Sequence, residues 1–187
     1  MEHPGAALMG EEFDILQFNV KEAICASRKL PARLAPASAF AYPKPVNAKP
    51  RRFRLHMNGP KWLINGSNYH DGMHKIAFVA KAGTAEIWEL RNDMRSMPHP
   101  MHVHGFHFRV LERRGSPRQV ARLAVAVSGV TPHDLGWLDT VLVWPGEVVR
   151  IVVDFSPALP GKNVYMFHCH NLEHEDQGLM LNFAVSG

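Results

Sequence analysis

One stretch near the end of the chain, Tyr165 to His174, limits most strongly what this sequence can fold into and bind. It reads Tyr-Met-Phe-His-Cys-His-Asn-Leu-Glu-His and holds four potential metal ligands within seven residues. On an extended segment successive side chains point to opposite faces, so His168 and His170 face one way and Cys169 faces the other. One strand can then take part in two metal sites. A thiolate together with imidazoles favours copper, zinc or iron over the hard cations, which prefer oxygen ligands.

A second histidine cluster, His99-Pro-Met-His-Val-His-Gly, repeats this spacing. His102 and His104 lie two positions apart, on one face of an extended segment, and His99 is set back behind a proline. The two clusters together hold seven strong ligands, which is more than one four-coordinate site needs. We therefore predict two groups on opposite faces of two adjacent strands. We call them the sulfur site, formed by His99, Cys169 and His174, and the histidine site, formed by His102, His104, His168 and His170.

The sulfur site has the composition of a blue-copper electron-transfer site, which is two imidazoles and one thiolate with a weak or absent axial ligand. Zinc is the alternative, because four-coordinate shells of nitrogen and sulfur suit it. A structural zinc site would not explain the outward-facing histidine site. Cys169 is covalently next to His168 and His170, so an electron that arrives at the sulfur site has a short through-bond route to the histidine site.

Composition narrows the class of protein. A chain of 187 residues that is 46% hydrophobic suits one globular domain with some extra length. The only cysteines are Cys25 and Cys169, which excludes a disulfide framework as the source of stability. If Cys169 is a metal ligand, Cys25 is an ordinary free thiol.

The net charge of +4 comes from the front of the chain. Residues 21–54 hold nine basic residues and one acidic residue, whereas residues 55–187 hold twelve of each. Aromatic and basic residues do not alternate as they do on an RNA-binding sheet, so we predict no nucleic-acid partner. No run reaches the apolar length of a membrane helix, and the opening Met-Glu-His-Pro-Gly lacks both parts of a signal peptide. If the chain is a piece of a longer protein, an export signal could lie upstream.

The chain divides at about residue 50. Residues 13–20 read as a short lead-in strand, and residues 30–50 carry five of the 14 prolines among small residues, which predicts an extended linker. A lone strand followed by such a linker is typical of the tail of a preceding domain. We therefore interpret residues 1–50 as a lead-in strand and linker, and residues 51–187 as the domain that binds metal.

From Arg51 onward short strand-like runs alternate with turn signals such as Asn65-Gly66 and Pro145-Gly146, which predicts an all-β sandwich or barrel. Within residues 115–136, the stretch 118–130 is compatible with a strand, a loop or a short helix. The predicted strands are Arg52–Met57, Trp62–Ile64, His74–Val79, Thr84–Arg91, Phe106–Arg113, Leu123–Val127, Asp139–Val143, Val148–Phe155, Asn163–His168 and Leu179–Val185.

At its histidine clusters the chain resembles the last domain of multicopper oxidases, the family of laccases, bilirubin oxidases and bacterial cuprous oxidases. The motifs that match are His99-Pro-X-His-X-His-Gly, His168-Cys-His-X3-His, Ala82-Gly-Thr, Trp137-Leu-Asp-Thr-Val, Trp144-Pro-Gly-Glu and Tyr165-Met-Phe. The resemblance covers residues 51 to the end. It implies a cupredoxin-like Greek-key β-sandwich, and it makes the proline-rich linker the exit from the preceding domain.

The resemblance also implies a copper cofactor and assigns a role to each ligand. His99, Cys169 and His174 correspond to ligands of the type 1 copper, which accepts electrons from the reducing substrate. His102 corresponds to a ligand of the type 2 copper. His104, His168 and His170 correspond to ligands of the type 3 pair, where dioxygen is reduced to water.

Two further residues receive roles from the same resemblance. Leu179 takes the axial type 1 position, ten residues after the cysteine, where many bacterial members have methionine. A missing thioether should disfavour Cu(II) and raise the reduction potential, and Met180, one place further, would point to the other face. Glu175 matches an acidic residue that relays protons, although a solvated loop acid beside Asp176 is the simpler interpretation.

The family's trinuclear cluster needs four more histidines, supplied as two His-X-His pairs by its first domain. The histidines outside the two clusters form no such pair. We therefore expect this chain to hold a complete type 1 site and half of a trinuclear site. The other half would come from missing amino-terminal cupredoxin domains or from another subunit.

The leading hypothesis is a domain of a laccase-like oxidase that couples one-electron oxidation of a small reductant to dioxygen reduction. Phenols, aromatic amines and metal ions are candidate reductants, and the complete enzyme is expected in the periplasm or outside the cell by family resemblance. The isolated chain should bind copper but reduce dioxygen poorly. The alternatives are a stand-alone blue-copper electron carrier or copper-binding module, and two copies whose half-clusters face each other.

Three methionines near His99 leave a further choice open. Met94, Met97 and Met101 could form a landing site for Cu(I), because thioethers select that ion, or they could fill the core. His70 and His74 flank a turn-like Asp-Gly and are predicted to lie in a surface loop.

Overall fold

A computed structural model describes residues 16–19, 21, 29, 31–32, 41–47, 49–72, 75–156 and 158–187. The chain separates into two compact units, residues 1–39 and residues 40–187. Residues 16–19 are exposed and lie in no strand, and the rest of the predicted lead-in strand lies outside the described residues, as does Cys25.

The described part of the second unit consists mainly of strands. They are β1 (Arg51–Asn58), β2 (Lys61–Ile64), β3 (Ile76–Lys81), β4 (Ala85–Asn92), β5 (His99–Val103), β6 (Phe108–Arg114), β7 (Thr140–Val143), β8 (Val148–Asp154), β9 (Lys162–Cys169) and β10 (Met180–Ser186). Two short α-helices accompany them, α1 (Arg118–Ala121) and α2 (Leu172–Asp176), together with two single-turn 3-10 helices, Tyr69–Asp71 and Pro132–Asp134. Among the described residues, no helix is both long and apolar enough to span a membrane.

The strands form two five-stranded sheets with buried aromatic rings between them. The first sheet has the order β2-β1-β4-β8-β6 and the second has the order β3-β10-β9-β5-β7. Phe53 of the first sheet lies 4.9 Å from Phe167 of the second, and Trp88 lies 5.7 Å from Phe183, measured between ring centroids. Because each sheet buries one face against the other, the predicted all-β sandwich is confirmed.

Most predicted strands lie within a few residues of the observed ones, but the strand predicted at Leu123–Val127 was wrong. That segment follows α1 and turns back on itself, with the Val125 amide donating to the Val130 carbonyl at 2.9 Å. Gly129, at φ +78°, allows the tight turn that a bulkier residue would strain. Leu123 and Val125 are exposed, so their apolar alternation does not reflect a buried face.

The last part of the proline-rich segment is fixed to the start of β4. The Val46 amide donates to the Ala85 carbonyl at 2.9 Å. The Asn47 side chain forms the two hydrogen bonds that a neighbouring strand would form. It accepts from the Ile87 amide and donates to the Ile87 carbonyl, both at 2.8 Å. Residues 45–47 therefore extend the line of β1 along β4.

The outer faces of the two sheets differ sharply in character. On the first sheet, four charged residues stand side by side on neighbouring strands, namely Arg52, Glu89, Arg150 and Glu112. On the second sheet, the outer face carries the exposed apolar residues Val79, Leu142 and Val164. His102 and His168 share this outer face, because they pair with each other across β5 and β9.

A buried ion network holds the segment between β6 and β7. Arg113 donates to Asp134 through two nitrogens at 2.8 and 2.9 Å and to Glu147 at 3.1 and 3.2 Å. Glu147 also accepts from the Ser116 hydroxyl at 2.6 Å. The network fastens residues 115–139 to the sandwich, and the end of that segment lies against His102.

Candidate metal centres

The pairing of β5 with β9 brings the two histidine clusters together. Met101 lies opposite Cys169, and His102 lies opposite His168. Residues that face each other across an antiparallel pair point to the same side of the sheet, so Cys169 points into the sandwich and His168 points out of it. The predicted division of ligands between two faces follows from this register.

Three side chains form the sulfur site inside the sandwich. The Nδ1 atoms of His99 and His174 are 3.1 Å apart, and each lies 3.6 Å from the Cys169 Sγ atom. The three atoms thus form a nearly regular triangle at the end of β9. An ion at its centre would lie about 2.0 Å from each atom, which is close to the usual metal–nitrogen and metal–sulfur bond lengths of roughly 2.0 and 2.3 Å.

The sulfur site is almost fully withdrawn from water. His99 and Cys169 have no exposed surface, and His174 is also buried. The indole of Trp62, on β2, covers the site, with its ring centroid 4.2 Å from that of His174 and 5.1 Å from that of His99. Each of the two sheets therefore contributes to the walls of the site.

Burial controls protonation at the sulfur site. It lowers the pKa of His99 to about 3, with His174 adding to the effect, and it also lowers the pKa of His174. Both imidazoles are therefore neutral near pH 7 and can offer a lone pair. Burial raises the pKa of the Cys169 thiol to about 11, so a bound cation is needed to stabilise the thiolate.

Helix α2 and the residue that caps it hold His174 in place. The Asn171 side chain accepts from the amides of Glu173 and His174, and the Asn171 amide approaches the Cys169 Sγ atom at 3.5 Å. Leu179 is fully buried, its amide donates to the His174 carbonyl, and its carbonyl accepts from the Cys169 amide. The Leu179 backbone therefore connects two residues of the sulfur site, Cys169 and His174.

The histidine site lies on the other side of β5 and β9. The Nε2 atoms of His104 and His168 are 2.9 Å apart, and His102 joins them in a group whose ligand atoms all lie within 4.8 Å of one another. The His170 ring is 5.5 Å from that of His168 and 5.6 Å from that of His102, at the exposed rim. The structure thus brings three of the four predicted ligands into close contact and places the fourth beside them.

Hydrogen bonds fix which nitrogen of each imidazole faces the histidine site. The Nδ1 atom of His102 lies 3.0 Å from the Asp139 carbonyl and 2.9 Å from the Thr140 hydroxyl. The Nδ1 atom of His168 lies 2.9 Å from the Cys169 carbonyl. Since a carbonyl only accepts, Nδ1 carries the proton in both residues and Nε2 keeps its lone pair for a metal.

Burial at the histidine site favours neutral imidazoles. Burial, followed by the neighbouring His168 and His102, holds the pKa of His104 below its ordinary value, and burial likewise lowers the pKa of His168. The Glu175 carboxylate lies 3.5 Å from the His168 Nδ1 atom and is about one third exposed.

A glycine turn lets His104 reach the histidine site. Gly105 has φ +77°, and a Cβ atom there would lie 2.6 Å from the ring of Tyr165. The His104 amide donates to the Met166 carbonyl at 2.9 Å, which fixes the backbone just before this turn. The glycine of the His-X-His-Gly motif is therefore required both by conformation and by close packing.

Comparison with known proteins identifies the family to which these two sites belong. The family model for multicopper oxidases matches residues 43–187, which is most of the chain. The chain belongs to the multicopper oxidase family. Membership implies copper as the cofactor and an oxidoreductase as the class of enzyme, and it agrees with the donor atoms at both sites.

Named multicopper oxidases show how much of an enzyme this chain represents. It is 37% identical over 145 residues to the bilirubin oxidase of Albifimbria verrucaria, covering 78% of this chain and 23% of that protein. It is 39% identical over 129 residues to the laccase of Bacillus subtilis strain 168, covering 65% of this chain and 23% of that protein. The chain therefore spans about a quarter of the length of these relatives.

A solved multicopper oxidase confirms the cupredoxin-like fold. The McoA multicopper oxidase from the hyperthermophile Aquifex aeolicus superposes with a TM-score of 0.63 at 37% identity. The match covers 79% of this chain and 32% of that one. Similarity at this level, over both sheets, supports the same sandwich in the two proteins.

Several residues around the two candidate metal sites of this multicopper oxidase domain were not assigned a role from the sequence. Trp62 lies far from both motifs in the sequence, so no local signal connects it with His99 and His174. Asn171 carries a readable signal, because asparagine before a short acidic run is a helix cap. The Ser96 hydroxyl, 2.8 Å from the His99 Nε2 atom, leaves Nδ1 free to face the sulfur site.

The three methionines near His99 do not form one group. Met101 is fully buried in the core opposite Cys169, whereas Met94 and Met97 are exposed. Met101 is therefore a core residue. Met180 pairs with His168 and lies on the outer face, as predicted for a residue one place after Leu179.

Proposed function

We propose that this chain is the electron-accepting domain of a laccase-like multicopper oxidase. The sulfur site would hold the type 1 copper, which takes electrons one at a time from a small reductant such as a phenol, an aromatic amine or a metal ion. The histidine site would supply half of the ligands of the trinuclear cluster, with His102 on the type 2 copper and His104, His168 and His170 on the type 3 pair. Copper supplies the one-electron chemistry at both places.

The observation that carries this proposal is the position of Cys169. Its side chain lies in the buried triangle with His99 and His174, while the residue before it, His168, lies in the histidine site on the opposite face. A structural metal ion does not need a second metal site at the same strand end. Two such sites suit transfer of electrons from a substrate-facing site to a second site a few covalent bonds away.

The remainder of the trinuclear cluster is proposed to come from other domains of the enzyme. Among the described residues, the ligand groups are limited to the sulfur site and to His102, His104 and His168. The histidine site opens on the outer face of the second sheet, where a partner domain can approach. The short coverage of the relatives' length supports missing cupredoxin domains as that partner.

Glu175 is proposed to deliver protons to the histidine site. Reduction of dioxygen to water consumes one proton for each electron, so an acid near the site must be reloaded from solvent. The Glu175 carboxylate meets both conditions, since it lies 3.5 Å from His168 and keeps about a third of its surface exposed. The complete enzyme is proposed to work in the periplasm or outside the cell, on family resemblance alone.

Copper titration of the purified chain tests the proposal. We expect one tightly bound copper with an intense blue absorption from thiolate-to-copper charge transfer, and little consumption of dioxygen. The Cys169→Ser variant should lose the blue band, whereas His104→Gln should keep it, because His104 belongs only to the histidine site. Copper binding without any blue band would refute the type 1 assignment.

Sedimentation separates the remaining arrangements. A copper-loaded chain that carries one blue copper, takes up no oxygen and forms no stable dimer is the expected result for a half cluster. About five coppers per stable dimer, two in the sulfur sites and three in one shared cluster, would show instead that two copies complete the cluster together. Full oxidase turnover by the monomeric chain would contradict the proposal.

A further inference from the structure

The segment after β2 is hydrogen-bonded to the segment that follows His174, a residue of the sulfur site. We propose that Asn68, in the segment after β2, is a positioning residue for the type 1 copper, an inference that rests on the proposed function. Its amide group connects the aromatic wall of the site to the segment that follows the ligand His174. Through this connection Asn68 would set the geometry in which His174 and Cys169 hold the metal.

Asn68 is 5% exposed and uses its side chain on three partners. Its Nδ2 atom donates to the Trp62 carbonyl at 2.9 Å and to the Gln177 carbonyl at 2.7 Å. Its Oδ1 atom accepts from the His70 amide at 3.0 Å. The two protons of the amide nitrogen therefore bind on different sides of the sulfur site. One binds β2, which carries Trp62, and the other binds the segment that follows His174.

The neighbours of Asn68 strengthen the same connection. The Tyr69 amide donates to the Gly178 carbonyl at 3.0 Å, and the His70 Nε2 atom lies 2.9 Å from the Asp176 carbonyl. We call Asn68, Tyr69 and His70 the clasp. It binds three consecutive residues, 176–178, at the end of α2.

Close packing at Gly178 shows how tightly the clasp fits. Gly178 has φ +83°, and a Cβ atom there would lie 2.8 Å from the Asn68 Oδ1 atom and 2.9 Å from the His70 ring. Only a residue without a side chain allows this approach. Gly178 and the clasp are therefore closely packed, so a shift of one would disturb the other.

The clasped segment lies between two residues that define the sulfur site. His174 precedes it and Leu179 follows it, and the Leu179 backbone bonds both to His174 and to Cys169. The other partner of Asn68 is Trp62, whose ring packs on His174 at 4.2 Å. One buried amide thus fixes the ligand loop and its covering ring relative to each other.

Loss of the two donated hydrogen bonds should therefore loosen the metal geometry more than the fold. In Asn68→Ala the Trp62 and Gln177 carbonyls lose their donor. In Asn68→Asp the shape and the Oδ1 acceptor for His70 remain, but a carboxylate cannot donate to either carbonyl. Residues that hydrogen-bond a metal ligand directly typically change metal affinity by about 10-fold to 100-fold when removed, and we place Asn68, which acts through neighbouring residues, at the lower end of that range.

The test compares copper affinity, visible spectrum and reduction potential of the copper-loaded chain with those of the two variants. We expect both variants to bind copper about 10-fold or more weakly and to show a displaced blue band and a changed potential. Asn163→Ala is the matched control, because Asn163 also donates to two loop carbonyls, of Leu159 and Pro160, but away from the metal sites. It should leave all three measurements unchanged.

Three outcomes decide the matter. A blue parent chain whose spectrum, potential and affinity are unchanged in Asn68→Asp overturns the inference and leaves the proposed function standing. A parent chain without a blue band refutes the proposed function and the inference together. Equal loss of copper affinity in Asn163→Ala would show a general effect of loop disruption and would also overturn the inference.

Discussion

At the scale of single residues, the sulfur site is built to be neutral without metal and charged with it. Burial keeps the imidazoles of His99 and His174 unprotonated and keeps the Cys169 thiol protonated. Binding of a cation must therefore displace the thiol proton into solvent. Copper affinity should accordingly rise with pH, because the displaced proton is then less available to compete.

The metal-free chain should lose stability in acid because of His99. Its pKa is about 3 in the folded chain against 6.5 ordinarily, so between those values the unfolded chain binds more protons and the free energy of unfolding falls as pH is lowered. His99 alone contributes a slope of about 1.4 kcal/mol per pH unit in that window. Urea unfolding at a series of pH values should show a shallower slope in His99→Gln than in the parent, while His107→Gln, at an exposed histidine, serves as the control. An identical slope in parent and His99→Gln would contradict the assignment.

Leu179 offers a direct test of the predicted axial position. Replacement by methionine places a thioether at the axial position that the family resemblance implies, so we expect the reduction potential of the proposed type 1 copper to fall. Unfolding free energy should change by less than about 1.5 kcal/mol, because leucine and methionine have similar volumes. Leu90→Met, at an equally buried core position on β4, should leave the potential unchanged. A redox titration followed at the blue band measures the effect, and equal potentials in parent and Leu179→Met would place Leu179 outside the copper's reach.

At the scale of elements, the buried network around Arg113 determines how the long segment between β6 and β7 is held. Arg113 binds Asp134 and Glu147, both of which are buried. The same segment ends at Asp139, whose carbonyl orients His102. Stability of this segment and geometry of the histidine site are thus connected through one stretch of backbone.

Arg113→Met should destabilise the chain by about 3–5 kcal/mol, because it leaves two buried carboxylates without a counter-charge. Arg54 provides a matched control, since it makes the same two-nitrogen contact with Asp93 at the surface. Removing an exposed pair of this kind should change little. Urea unfolding measures both variants, and similar losses in the two would show that burial of the Arg113 network is not what matters.

The elements that the sequence predicted well are those with repeated local signals. Alternating apolar residues bounded by glycine and proline turns indicate the strands of both sheets, and the spacing of two in each histidine cluster indicates which ligands share a face. Segment 123–127 shows the same alternation without a buried face, because no strand among the described residues pairs with it.

Helix α2 is too short to show a helical period, and only its cap at Asn171 is visible in the sequence. The contacts of Trp62 and Asn68 with the sulfur site depend on how the two sheets pack, and no local pattern contains that information.

At the scale of the whole molecule, the two outer faces imply different surroundings. The first sheet presents paired charges suited to water, whereas the second, whose outer face also carries the histidine site, presents Val79, Leu142 and Val164. Contiguous exposed apolar patches mark interaction surfaces on soluble proteins, and Val79 and Val164 lie in one row across β3, β10 and β9. The apolar face therefore matches the place where the remaining domains of the enzyme are proposed to lie.

The isolated chain should associate weakly with itself through this apolar face. We expect sedimentation velocity to show a coefficient that rises with concentration, and Val164→Lys to reduce that rise by placing charge on the face. Val125→Lys is the control, because Val125 is 56% exposed against 54% for Val164 but lies in the loop after α1. Equal effects of the two substitutions would argue against a specific face.

The register between β5 and β9 has a consequence for how this domain can be made. Met101 pairs with Cys169 and His102 with His168, and a slip of one residue would turn every side chain of a strand to the opposite face. Cys169 would then leave the interior at the same moment as His168 entered it, so neither site could form in a mispaired chain. Blue colour on adding copper would therefore report correct strand pairing, and refolded preparations could be graded by eye before any assay of activity.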